Sequence, residues 1–280
     1  MDLNTVSLES LTGALAYAMG ITPPEYAAAA NEDLAAYVDK ALAGRKADRI
    51  FMYNTDAIGQ WIYKKYPQLS EEARNLTDLE LPLLTCDPPK TPVCFGTMYT
   101  GAAPQVHGIE VYEKKLITID TLFDALAKAG KKVALLSRPN YSMAIIFANR
   151  PIDYYFLPTW AEVNAKAAEL IIKDEYDFIL TYNANFDDVL HKKGPESIEC
   201  LGEMRFNYQT YCMFDSLIRT HWAHHDTLMG FAMDHGCHAI APTVNSKGTI
   251  SLGSHGQNTP EDRNITHLYK IHAAAAGSTR

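Results

Sequence analysis

The chain has no cysteine framework. Its five cysteines (Cys86, Cys94, Cys200, Cys212 and Cys237) are odd in number and form no C-x-x-C pair. That fits free thiols in a reducing compartment better than a disulfide scaffold. Positive charge is also scarce: 25 Lys and Arg stand against 33 Asp and Glu, a formal net charge of −8. This argues against nucleic acid or an anionic membrane as the main partner. An anionic substrate would need a strong local positive charge, which bound metal ions can supply. No apolar run is long enough to cross a membrane. The opening MDLNTVSLESLTGALAYAMG carries acids where a signal peptide has a basic region, so the expectation is a cytoplasmic protein. Internal repeats and low-complexity linkers are missing as well.

What is there is ordinary globular composition, 47% hydrophobic and 21% charged over 280 residues, enough for one large α/β domain with a sizeable core. Residues 1–46 read as a helical N-terminal segment, with Ala-rich stretches around Pro23-Pro24, a pair suited to a helix start, and a second helix over about 31–42. The segment has two readings, a cover for a sheet edge or a homodimer contact. The first buried strand begins at Arg49 and ends at Asn54-Thr55-Asp56; further strands are expected over 133–136, 154–157, 177–182 and 227–233. Helical patterns lie between them over 118–129, 160–173 and 196–222, the first with a capping sequence, an apolar face and Gly130 as its stop. Alternating strands and helices predict one α/β domain over 47–280, with a mostly parallel central sheet flanked by helices on both faces. The polar, Gly-rich stretch 241–280 reads as loops closing over one end of the sheet.

In such sheets functional groups collect at the carboxyl ends of strands. Asp56, Asp187 and Asp234 each follow a predicted strand. Asp187 and His191 are four apart, on one face of a helical turn, and carboxylate plus imidazole suits zinc or a similar divalent ion. Asp234-His235-Gly236 pairs another Asp with His at a turn that Gly236 permits. His255 lies between glycines in GSHG. Thr91 precedes Pro92 after the breaker run Asp87-Pro88-Pro89-Lys90, so it is expected near the N-cap of a helix with Pro92 near N1. A hydroxyl there sits in the positive field of the helix end. Taken singly, Thr91 is a cap and Asp187 with His191 a surface pair; their order along the chain is the informative feature.

The segment TPVCFGTMYTGAAPQVHGI (91–109) resembles the nucleophile region of type I phosphodiesterases and nucleotide pyrophosphatases, members of the alkaline phosphatase superfamily. DDVLHKKGPES, MDHGCH and GSHGQ are similar to that family's metal motifs, with Met233 replacing its usual Ser, and the likeness spans roughly residues 48–269. The resemblance implies an alkaline-phosphatase-like fold and two divalent ions, zinc before manganese. Asp187, His191 and His255 would hold one ion; Asp56, Asp234 and His235 would hold the other, with Thr91 as nucleophile. It further implies hydrolysis of a small anionic phosphate ester or nucleotide through a phospho-threonine intermediate.

Two departures bear on substrate. Where the family carries an Asn after its HG histidine, this chain has Tyr112, a candidate substrate contact. Lys114 and Lys115 are further candidates for a phosphate contact. The stretch 109–186 is too short for the cap domain of cofactor-independent phosphoglycerate mutases, and Thr91 with Phe95 departs from the sulfatase pattern. Phosphonate hydrolysis on the same site, or a silent binding module, are the alternatives. The cluster His221, His224 and His225 reads as a helix end, where imidazoles suit the dipole.

Overall fold

Strand β1 (Arg49–Thr55) shows why the sheet needs cover on both sides, since every residue from Ile50 onward is buried. Phe51 and Tyr53 pack on Phe214, while Asn54, pointing the other way, accepts a hydrogen bond from Tyr99. Alternate side chains of a strand face opposite ways, so helices must lie on both faces.

The computed structural model describes residues 1–244 and 248–275. Before β1 come α1 (Ser10–Met19) and α2 (Glu32–Ala41). After it follow α3 (Gln60–Lys65), α4 (Glu71–Leu76), β2 (Leu79–Leu84), α5 (Thr91–Thr100), α6 (Pro104–His107), α7 (Leu122–Lys128) and β3 (Val133–Ser137). Then come α8 (Ser142–Ile146), β4 (Asp153–Phe156), α9 (Trp160–Lys173), β5 (Phe178–Asn183), α10 (Asn185–Lys193) and α11 (Ile198–His221). The chain continues through β6 (Thr227–Met233), β7 (His238–Val244), β8 (Ile250–Ser254), α12 (Pro260–Arg263) and β9 (Asn264–His272). Among the described residues the main sheet has seven strands in the order β2-β9-β6-β1-β5-β3-β4, and β7 pairs with β8 apart from it. Strands β6, β1, β5, β3 and β4 are parallel, and β9 runs antiparallel to both its neighbours. Helices α1, α5, α7 and α8 cover one face, α9 and α11 the other. The mostly parallel α/β sheet with helices on both faces is therefore present.

Two expectations need correction. Residues 1–9 and 21–30 are not helical: Ser7 bridges to Leu84, and around Pro23-Pro24 the chain turns, the Ala28 amide bonding to the Gly101 carbonyl at 2.7 Å instead of continuing a helix. Consecutive prolines remove two backbone donors and hold the preceding residue extended. Next, the stretch read as closing loops contains β8 and the whole of β9, although residues 245–247 and 276–280 of it lie outside the described residues. Its polar residues disguised a buried strand: Thr266 takes a bond from Gln60, and His267 bonds the Met233 carbonyl at 2.7 Å. Strand β2, which carries Pro82, was not expected at all; it lies at the sheet edge, the place in a sheet where proline is tolerated. Helix α5 does start at the expected place, with Lys90 as its N-cap and Thr91 and Pro92 in its first turn.

Candidate metal centre and nucleophile

Strands β1 and β6 pair in parallel with Thr55 beside Met233, so the residues that follow, Asp56 and Asp234, leave the sheet side by side. Two glycines let their loops close. A Cβ on Gly236 would lie 2.0 Å from the Glu261 carbonyl oxygen, and one on Gly59 would lie 3.0 Å from Gly236 Cα. Ala57 adopts a left-handed conformation (φ 63°), and its amide donates to Asp234 Oδ1 at 3.1 Å. A non-glycine residue held there stores strain that the surrounding loop contacts must offset. The His235 amide reaches the same Oδ1 at 2.8 Å, and the Tyr182 hydroxyl donates to Asp56 Oδ2. The other oxygens, Asp56 Oδ1 and Asp234 Oδ2, are buried without a hydrogen-bond partner among the described residues. His235 Nε2 points at them from 3.4 and 3.3 Å.

A second group forms beside the first. Asp187 and His191 stand one turn apart on α10, and His255 follows β8. Asp187 Oδ1 is buried and unpartnered, with His191 Nε2 at 3.2 Å and His255 Nε2 at 3.5 Å. The rings of His235 and His255 lie 4.1 Å apart between centroids, joining the two groups.

All three histidines share one orientation. Nδ1 of His235, His191 and His255 faces a backbone carbonyl, of Gly236 (2.9 Å), Gly253 (3.0 Å) and Pro89 (3.2 Å) respectively. A carbonyl can only accept, so Nδ1 carries a proton, and in the neutral ring Nε2 presents its lone pair. With the imidazoles neutral, three lone pairs point at three buried, unpartnered carboxylate oxygens. Acceptors facing acceptors repel, and a cation between them reverses the sign. Nδ1–H held by a carbonyl is also the usual posture of a metal-ligating histidine. The sets Asp56, Asp234, His235 and Asp187, His191, His255 each bring three ligand atoms within 4.8 Å of one another. On donor type and on these orphaned oxygens, divalent ions fit.

The electrostatics agree. Burial, and then the charges of Asp234 and Asp187, push the Asp56 carboxyl well above its usual range. Burial pushes Asp234 up to about 6. Asp187 goes the other way: burial would raise it, but the imidazoles of His191 and His255 beside it, which favour its ionised form, bring the group down to about 2. His255 is driven well below its ordinary value, by burial first. Two carboxylates that resist ionising, Asp56 and Asp234, and an imidazole that resists protonation, His255, are what one expects of a site built around positive charge.

Thr91 opens α5 toward this centre. Its Oγ1 lies 3.2 Å from His235 Nε2, and the residue is only 5% exposed. Lys90 beside it donates to the His255 carbonyl at 2.6 Å, and its amine is pulled down by burial.

Neither a family model nor a curated protein sequence matches the chain. Solved structures do match in fold. An inactive variant of murine ectonucleotide pyrophosphatase/phosphodiesterase 5, in complex with AMP, superposes with a TM-score of 0.63 at 12% identity, covering 80% of this chain and 88% of that one. The human counterpart gives 0.58 at 11%, over 81% and 88%. Phosphonoacetate hydrolase from Sinorhizobium meliloti, in complex with phosphonoformate, gives 0.52 at 16%, over 75% of this chain and 61% of that one. The likeness is one of fold, an alkaline-phosphatase-like α/β fold shared with these structures. Within an alkaline-phosphatase-like sheet, β1, β5 and β6 are the strands whose carboxyl ends carry the two clusters.

The structure also shows what the motifs left out. Tyr112, in the loop after α6, is more than half exposed and belongs to neither cluster. Partial burial and then the charges of Asp56, Asp187 and Asp188 raise its phenol, so it stands in the field of this centre. Lys114 donates to the Asn140 carbonyl at 2.6 Å. Tyr182, the Ala57 amide and Lys90 escaped the sequence reading. Only Tyr182 left a signal there, as a polar-tipped residue at the carboxyl end of a strand. Tyr141 and Trp160 both hold Asp188, at 2.9 and 3.1 Å. A cavity of about 520 Å³ opens beside His191, between α10 and the paired strands β7 and β8. Among the described residues no helix is long and apolar enough to cross a membrane.

Proposed function

We propose that this chain is a metal-dependent hydrolase of small anionic phosphate esters with Thr91 as its nucleophile. The observation that carries the reading is the Thr91 hydroxyl, 3.2 Å from His235 Nε2, at the mouth of two carboxylate–imidazole clusters whose facing oxygens lack partners. Asp56, Asp234 and His235 would hold one divalent ion, and Asp187, His191 and His255 the other; nitrogen and oxygen donors suit zinc, with manganese next. Such ions supply Lewis acidity, favouring the alkoxide of a hydroxyl and neutralising charge on a phosphoryl group.

The chain's own residues do the rest. Helix α5 fixes Thr91 at its positive end, where a phosphoryl oxygen meets free amide groups. Tyr182 and the Ala57 amide hold Asp56 and Asp234 in register, and burial of Thr91 limits competing water. Attack by Thr91 Oγ1 on phosphorus forms a phospho-threonine as the leaving alcohol departs. Water then cleaves the new ester and restores the hydroxyl. The occupants named for the structural neighbours, AMP and phosphonoformate, are small anions of the size this reading requires. Tyr112 is proposed to contact the substrate at the rim.

The test compares wild type and Thr91→Ala on bis-p-nitrophenyl phosphate and p-nitrophenyl phosphate. The variant should lose at least about 10³-fold in kcat while keeping its bound metal. Turnover at the wild-type rate in Thr91→Ala would contradict the assignment. No turnover of either ester by metal-loaded wild type would make the chain a binding module.

A further inference from the structure

At the opposite end of the sheet, Asp174, His224 and His225 form a third group whose ligand atoms lie within 4.8 Å of one another. They come from two turns: Asp174 caps α9 in a left-handed conformation (φ 52°) before β5, and the histidines follow α11 before β6. Strands β5 and β6 flank β1, so the two turns are neighbours across it. Here the structure revises the reading of the HWAHH cluster, because the two histidines leave the helix end and converge on a single carboxylate oxygen. Nε2 of His225 and of His224 lie 2.9 and 3.1 Å from Asp174 Oδ2. Their rings lie against each other, centroids 4.0 Å apart and tilted by 43°, so the two imidazoles reach the same oxygen from one side of the turn.

We infer that these residues form a structural site for a borderline divalent cation such as zinc, separate from the Thr91 centre. Two imidazole nitrogens and one carboxylate oxygen are a ligand set zinc accepts, with water completing four-coordination. Zinc–ligand bonds of about 2.0–2.1 Å set neighbouring donors about 3.4 Å apart. Spacings of 2.9 and 3.1 Å therefore need to open by only a few tenths of an ångström. Arg49, at the start of β1, bonds the other oxygen, Asp174 Oδ1, at 3.2 Å and shares its charge with Asp177. It orients the carboxylate so that one oxygen remains for the ion, as second-sphere partners of metal ligands do, and its positive charge lowers the affinity. His224 is about half exposed, leaving a path for the ion and its water. An ion here pins the α9–β5 turn to the α11–β6 turn.

The experiment strips full-length protein with a chelator, reloads it with zinc alone and counts zinc per chain. Wild type should hold one equivalent more than the His224→Ala/His225→Ala variant, and zinc should raise its melting temperature by more. Asp174→Asn, which keeps the side chain's shape, is the second variant and should lose the same equivalent. Equal zinc content in wild type and both variants would overturn the site. Because the count is a difference, it does not depend on how many ions the Thr91 centre binds.

Discussion

At the scale of single residues, the centre is defined by which nitrogen of each histidine is committed. His191, His235 and His255 each spend Nδ1 on a carbonyl, so Nε2 is left for the carboxylates. His107 shows the other outcome. It is 3% exposed, packed against Gly96, with Nε2 on the Thr97 hydroxyl at 3.0 Å and Nδ1 accepting from the Ile109 amide. Among the described residues no acid bonds it, and burial pulls its pKa from 6.5 to about 4. The unfolded chain protonates this group below pH 6.5 while the folded chain does not until about pH 4. Stability is therefore lost as pH falls through that window, by up to about 3 kcal/mol. Urea midpoints of His107→Gln between pH 7 and 4 should show a shallower fall than wild type; an identical slope would remove His107 from the account.

At the scale of elements, the site depends on two loops approaching more closely than side chains allow. A Cβ on Gly236 meets a carbonyl oxygen at 2.0 Å, far inside any tolerable contact, and that oxygen belongs to backbone. Gly236→Ala must therefore push the Asp234-His235 turn away from α12 and from Asp56. Overpacking of this kind costs about 1–3 kcal/mol, and it should weaken zinc binding at the Thr91 centre along with stability. Urea denaturation and zinc titration of the same variant check both effects. Helix α5 is braced in a related way: Thr12 of α1 donates to the Met98 carbonyl at 2.7 Å, tying the N-terminal helix to the element that carries Thr91.

At the scale of the whole molecule, much was legible because the physics behind it is local. The run Ile50 to Tyr53 is apolar on both faces and became the central strand, and Thr227–Met233 follows the same rule. The six residues gathered into two clusters were legible through their order along the chain and through the rule that strand ends carry function. Strand β9 was not legible, because its buried Thr266 and His267 are satisfied by Gln60 and Met233, partners far away in sequence. Asp174 was missed for the same reason, since its partnership with His224 and His225 exists only once β5 and β6 have paired around β1.

The central claim is that two clusters of orphaned carboxylate oxygens are cation sites serving Thr91. The most direct measurement is zinc per chain in wild type, Asp56→Ala, Asp187→Ala and the double variant, with p-nitrophenyl ester turnover on the same samples. The account predicts that each single variant loses one equivalent, that the double variant loses about two, and that turnover collapses in all three. Unchanged zinc content in the double variant, or full turnover by protein stripped of metal, would contradict it.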